Sequence, residues 1–270
     1  MYTKGEILKI YKSRKRIFFV VLMLLIPLVD LVMNVLSVYG PYWFYRESYY
    51  GELSKNVILH PAMGSFLAGG SEGHIPQMLL IWMLPIYIMN IYSDMYIQES
   101  RVRYNVAVLS RLDKRKFLQK RFFVSFCIPF IISIISLTIN FLLAEIVFFN
   151  GADMLGLDYY VEEQDFFAWS VANPDLAYMG YILVYSLIAG IYGVVCTGVS
   201  FLFPNSKIAY AIVFFVWIAQ IISPYSLTYA MQPFIEYGPE YFIPAILIFV
   251  ALAIVVYVIS YGYKVKSDEI

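Results

Sequence analysis

Long apolar runs recur along the chain with short polar breaks between them, and their lengths predict six membrane-spanning helices. Residues 17–39 form the first run, 23 residues that at about 1.5 Å each reach roughly 34 Å, enough to cross a bilayer with some tilt. The second, 76–97, opens on Pro76, which a first helical turn tolerates. Runs 122–149, 176–203, 207–223 and 241–263 complete the set. Gly180, Gly190, Gly193 and Gly198 in the fourth are small residues that let helices approach closely. The tight turn Pro204-Asn205-Ser206 makes the fifth run antiparallel to the fourth. The stretch after it, interrupted by Pro224, Pro233 and Pro239, is too short for two crossings and is expected as a re-entrant pair of short helices. The pattern predicts an all-α membrane protein, a single transmembrane domain over residues 1–270.

One long polar, basic segment breaks this pattern, residues 98–121. It joins two apolar runs without a Gly or a Pro and reads as helix. Val102, Val106, Leu109 and Leu112 would make one apolar stripe between charged flanks. At about 1.5 Å per residue the stripe covers roughly 15 Å, too short to span but long enough to fill a groove on a partner or lie on a headgroup surface. Residues 1–16 place Ile7, Ile10 and Tyr11 on one helical face among Lys4, Lys9, Lys12, Lys15 and Arg16, which suggests a helix in the membrane interface or a basic tail that sets orientation. A basic start followed by an apolar run is also how a signal peptide begins. Here the run exceeds a signal core and no small-x-small site follows, so it is expected to stay as an anchor.

Composition adds little to the class and charge adds a direction. The chain is 61% hydrophobic and 14% charged, outside the range of a soluble domain. Net charge is zero, but 17 of the 19 Lys and Arg lie in 1–16, 98–121, Lys207 and the tail, against Arg46 and Lys55 on the other side. Eleven acidic residues lie in the loops of that other side, 40–75, 150–175 and 224–240. The positive-inside bias predicts both termini and segment 98–121 in the cytoplasm, in a multi-pass membrane protein. In loop 40–75 the run Tyr42-Trp43-Phe44-Tyr45 suits an aromatic belt, and 62–70 is expected to dip into the membrane or cover the span tops. The acidic loop 150–175 is either a solvated loop or an attractor of a cationic substrate.

Candidate chemistry is sparse. Cys127 and Cys196 lie in apolar runs and read as packing, and His60 and His74 lack the spacing of a metal site, so none is assigned. No phosphate loop, zinc-protease motif or nucleophile elbow occurs, which leaves no catalytic residue and no enzyme. Within the spans, Asp30 and Asn34 share a face, as do Asn90 and Asp94 with Gln98. A carboxylate facing lipid costs at least about 2.5 kcal/mol. These faces therefore look into protein as packing contacts and interfacial ion pairs, or they line a translocation path.

An interfacial N-terminal helix, six spans, a coupling helix between spans two and three and a broken stretch before span six together resemble the ABC-2 type permease subunits of bacterial ATP-binding cassette exporters. The residues that carry the resemblance are Glu99, Arg103, Ser110-Arg111, Lys114 to Lys116 and Lys120; the commoner family pattern places Gly-Thr where this chain has Tyr104-Asn105. The resemblance implies that Glu99, Val102, Arg103, Tyr104, Val106, Leu109 and Arg111 dock in a cleft of a separate ABC ATPase subunit. ATP and Mg would then sit on that partner and no cofactor on this chain. It implies a second permease copy or a paralogue as partner, membrane lipid around both and no nucleic acid, with spans one, two and five lining the path. The rival reading is an ATPase-independent immunity or sensor protein whose basic cytoplasmic helix binds anionic lipid or a soluble partner.

Overall fold

Apolar runs of this length satisfy their backbone internally as helices, and that is what the computed structural model holds. It describes residues 2–44, 58–68, 75–110, 112–157, 165–235 and 237–267. In chain order the helices are α1 (Tyr2–Tyr11), α2 (Arg14–Phe44), α3 (Ile75–Trp82), α4 (Leu84–Ile88), α5 (Met95–Arg101), α6 (Tyr104–Leu109), α7 (Lys114–Val147), α8 (Asp165–Ala172), α9 (Pro174–Leu202), α10 (Ser206–Ile222), α11 (Thr228–Met231) and α12 (Pro239–Lys266). α4 runs on into a π-helical turn, Met89–Ser93.

Helices α2, α7, α9 and α12 are long and apolar enough to cross a membrane, and the bent pair α3–α4 makes up to five. One expected span comes out differently. The second is not one straight helix but two that meet at 56°, because Pro85 lacks the N–H that would bond Ile81 O. α10 has the 17 residues expected of the fifth span, fewer than the helices long enough to cross a membrane. Between α10 and α12 the expected pair of short helices is a single one among the described residues, α11. α7 starts at Lys114, about two turns before the expected boundary.

α9 is the axis of the bundle. Its apolar window is 72% buried against 17% for α12, and it packs against α7, α10, α11 and α12. Three of the joints around it, or beside it, are built on prolines. Pro27 frees Met23 O, which accepts from Ser136 Oγ of α7 at 2.9 Å. Pro85 frees Ile81 O, which accepts from the buried Trp217 Nε1 of α10 at 2.8 Å. Pro129 frees Ser125 O, and there Gly193 of α9 comes so close that a Cβ would collide with that oxygen. At these three prolines the orphaned carbonyl is met by a neighbouring helix, as an apolar surrounding requires.

At the end of the bundle away from the basic segment, residues 60–68 leave helical structure yet are largely buried. Residues 62–68, the described part of the stretch expected to dip into the membrane or cover the span tops, are buried against the spans. Such backbone survives in an apolar setting only when side chains satisfy it. Asn140 Oδ1 accepts from Phe66 N (2.9 Å), Tyr178 OH from Leu67 N (3.1 Å), Gln77 Nε2 donates to Leu67 O (3.0 Å) and Asn34 Nδ2 to Gly64 O (3.1 Å). Asn140 Nδ2 also donates to Pro27 O at 2.8 Å, so one amide ties α7 to both α2 and the buried segment. The segment starts on a bridge between Leu59 and Asp153, beside which His60 N donates to Asp153 O at 2.9 Å.

Candidate functional site at the basic end

Residues 98–121 do not form the single helix expected of them. Arg103 takes φ 54°, a left-handed conformation that costs a non-glycine residue energy and interrupts a right-handed helix. α5 therefore ends at Arg101 and α6 is a separate turn and a half, with α7 beginning after Asp113, whose side chain caps Arg115 N at 3.1 Å. The break divides the apolar stripe. Val102 (75% exposed), Tyr104 (41%) and Val106 (43%) face outward, and a shallow groove lined by Arg103, Val106, Ala107 and Ser110 runs beside them. Leu109 turns the other way, with Val108, onto the cluster of Phe117, Leu118, Phe122 and Phe201. Leu109 is thus partly buried in packing within this chain, on the side away from Val102 and Val106. Arg111 lies outside the described residues.

Glu99 also departs from the expectation. It is buried, and its carboxylate is held by Arg121 and by Lys9 Nζ at 2.6 Å. The same two cations hold Glu6, Lys9 at 2.7 Å and Arg121 at 3.7 Å, while Tyr92 OH donates to Glu6 Oε2 at 3.2 Å. Arg121 and Glu6 are each 1% exposed. Two carboxylates and two cations balance, and the guanidinium is also stacked among Tyr92, Tyr96 and Phe117 at 5.3 to 5.8 Å. Lys9 lies 4.4 Å above the Tyr104 ring, directly under the outward face. The cluster therefore joins α1, α4's π-helical end, α5 and α7 beneath α6. Glu6 pairs locally with Lys9, but its other partners, Tyr92 and Arg121, lie 86 and more positions away, so the sequence offers only the signal of a lone acid in a basic stretch.

A second polar knot adjoins it. Asp94 Oδ2 accepts from Gln98 Nε2 at 2.9 Å and Tyr210 OH at 3.2 Å, with Lys15 Nζ at 3.7 Å. This is an ion pair at the end of the spans, one of the two roles open to Asp94. Asn90 Nδ2 donates to Ile86 O one turn back at 2.7 Å. Asp30 and Asn34 lie at the other end, under the buried segment 60–68, with Asn34 Nδ2 3.4 Å from Asp30 Oδ2. The four polar span residues thus form two separate clusters and not one continuous line. α1 keeps Ile7 (57%) and Tyr11 (76%) exposed while Glu6 anchors its inner face, as an interfacial helix would.

An apolar helical bundle with a charge-braced, outward-facing surface at its basic end defines the class: an all-α membrane protein. The chain belongs to the family of the uncharacterized protein YybM of Bacillus subtilis (strain 168), to which it is 30% identical over 268 residues, 98% of this chain and all of that one. No family model matches the chain, and no solved structure does.

Proposed function

We propose that the chain is the membrane-spanning permease subunit of an ATP-driven ABC exporter. In this reading the bent pair and α10 are crossings too, which makes six spans, with both termini in the cytoplasm of a bacterial cell membrane. A separate ABC ATPase docks on the segment within 98–121, and a second copy or paralogue completes the path. The observation that carries the reading is the outward face of Val102, Tyr104 and Val106, presented on a short helix and braced from below by a buried ion cluster. Exposed apolar residues on a rigid support, on a chain with no energy-supplying motif, call for a partner that supplies the energy.

Val106→Asp is the test. Burying Val106 in a partner contributes about 1.5–3 kcal/mol, and a carboxylate there would be desolvated without a counter-charge. The variant is expected to insert in the membrane normally but to lose co-purification with the ATPase and the permease-dependent part of ATP hydrolysis. Arg115→Gln with Lys116→Gln, on exposed positions, should affect docking much less. The reverse pattern, partner kept by Val106→Asp and lost by the Gln pair, would replace docking with the ATPase-independent electrostatic reading.

Topology is checked separately. In a background without Cys127 and Cys196, a cysteine at the exposed Ala152 should react with an impermeant reagent in intact cells, and one at the exposed Ser110 only after permeabilisation. The 17-to-2 distribution of Lys and Arg is the basis, and labelling of Ser110 from outside would reverse it.

A further inference from the structure

Where α7, α9 and α12 end at the basic side, a cavity of about 220 Å³ opens between them and the α5–α6 segment. Its wall is mixed. Leu109, Phe117 and Phe201 give an apolar side, and Lys114 and Lys264 stand on the other. Lys114 is the first residue of α7, so the positive end of a 34-residue helix points the same way. It donates to Ser267 O, which leaves two of its three ammonium protons. Lys264 is held above the Tyr96 ring at 5.5 Å. Among the described residues neither lysine forms an ion pair, in contrast to Lys9, Lys15 and Arg121 next door.

An independent feature lies on the same wall. Asn105 is 4% exposed and donates through Nδ2 to Ser100 Oγ at 2.7 Å, while its buried Oδ1 has no donor. Among the described residues the wall thus has two lysines without an ion-pair partner and one buried acceptor without a donor. The complementary ligand has an anion for the lysines and a hydroxyl donor for Asn105.

We propose that this cavity is a binding site for an anionic phospholipid whose headgroup is a phosphate diester carrying a free hydroxyl, of which phosphatidylglycerol is the simplest. Basic pockets between transmembrane helices at the headgroup level have this function. The position favours a lipid over a soluble phosphate ester. The cavity lies where three apolar spans end, and the chain neighbours of its lining residues Pro204 and Lys264, Phe203 and Tyr263, are exposed apolar surface for acyl chains. The volume suits a headgroup and is below that of pockets enclosing a whole drug-sized ligand. The site does not depend on the ATPase reading, since none of the outward-facing docking residues lines it.

The experiment uses the full chain, purified in a neutral detergent and titrated with phosphatidylglycerol, with phosphatidylcholine of the same acyl chains, and with glycerol 3-phosphate. Retained lipid is read by native mass spectrometry and affinity by the shift of thermal unfolding. Phosphatidylglycerol is expected to stay bound and to raise the unfolding temperature, and the other two are not. Lys114→Gln with Lys264→Gln should weaken binding about thirty-fold, at about 1 kcal/mol per charge. Arg115→Gln with Lys116→Gln, outside the cavity, should change it by less than about two-fold. If the first pair does not fold, Lys264→Gln alone should weaken binding about five-fold. The proposal is overturned if the cavity pair keeps full affinity or if both pairs lose it equally, which is diffuse surface attraction. It is equally overturned if phosphatidylcholine binds as well, or if glycerol 3-phosphate does, which makes the site one for soluble esters.

Discussion

Arg121→Met should lower stability by about 3–5 kcal/mol, the cost of leaving a buried charge without its partner. The guanidinium is 1% exposed and lies on both Glu99 and Glu6. Without it, Lys9 is the cation left to the two carboxylates among the described residues. Methionine has about the right length and adds no charge, so the effect is electrostatic before it is steric. Adding Glu6→Gln and Glu99→Gln should recover most of the loss, because buried ion clusters replaced as a whole are often near neutral. Lys9, whose side chain is 28% exposed, can then turn to water. Thermal unfolding of the detergent-solubilised chain reads both steps. A single variant as stable as the parent would mean that the cluster is hydrated and does not brace α6.

Gly193→Val is expected to be as damaging for a different reason. Its Cβ would meet the Ser125 carbonyl of α7, and Pro129 Cγ at 2.9 Å. Neither is a flexible side-chain tip, so α7 and α9 must separate, at the upper end of the roughly 1–3 kcal/mol usual for overpacking or beyond it. Gly180→Val is the control, with nothing within 4 Å of its Cβ, and should stay within about 0.5 kcal/mol. Folded yield and unfolding temperature distinguish the two. Equal effects would trace the loss to the β-branched residue in the helix and not to the α7–α9 contact.

The same glycines illustrate what a sequence conveys about packing. Gly180, Gly190, Gly193 and Gly198 are alike as small residues in an apolar run, and the reading that helices approach at them is met at Gly190, Gly193 and Gly198, not at Gly180. What selects Gly193 is Pro129, 64 positions away on another helix, whose missing N–H leaves Ser125 O exposed. Pro27, Pro85 and Pro129 lie inside the expected spans, and nothing local to them marks them as joints. Ser136 on Met23 O and Trp217 on Ile81 O show that each break also determines where a neighbour must donate.

Hydropathy and charge by themselves determined the class. An apolar stretch of about 20 residues has to close its own backbone hydrogen bonds in lipid, so the all-α membrane architecture and the places of α2, α7, α9 and α12 follow from composition along the chain. The basic segment between two spans was legible for the same local reason. Tertiary structure alone decided the rest. Local helical preference ran through residues 98–109, but burying Glu99 on Arg121 and Leu109 on Phe201 requires α5 and α6 to point differently, and the turn at Arg103 provides it. Likewise Asp30 and Asn34 read as polar residues of a span, and only the packed bundle joins Asn34, Asn140 and Gln77 to a buried, non-helical segment. Periodicity records which face of a helix is apolar. It does not record which distant donor meets which orphaned acceptor, because that pairing is set by the docking of helices dozens of residues apart.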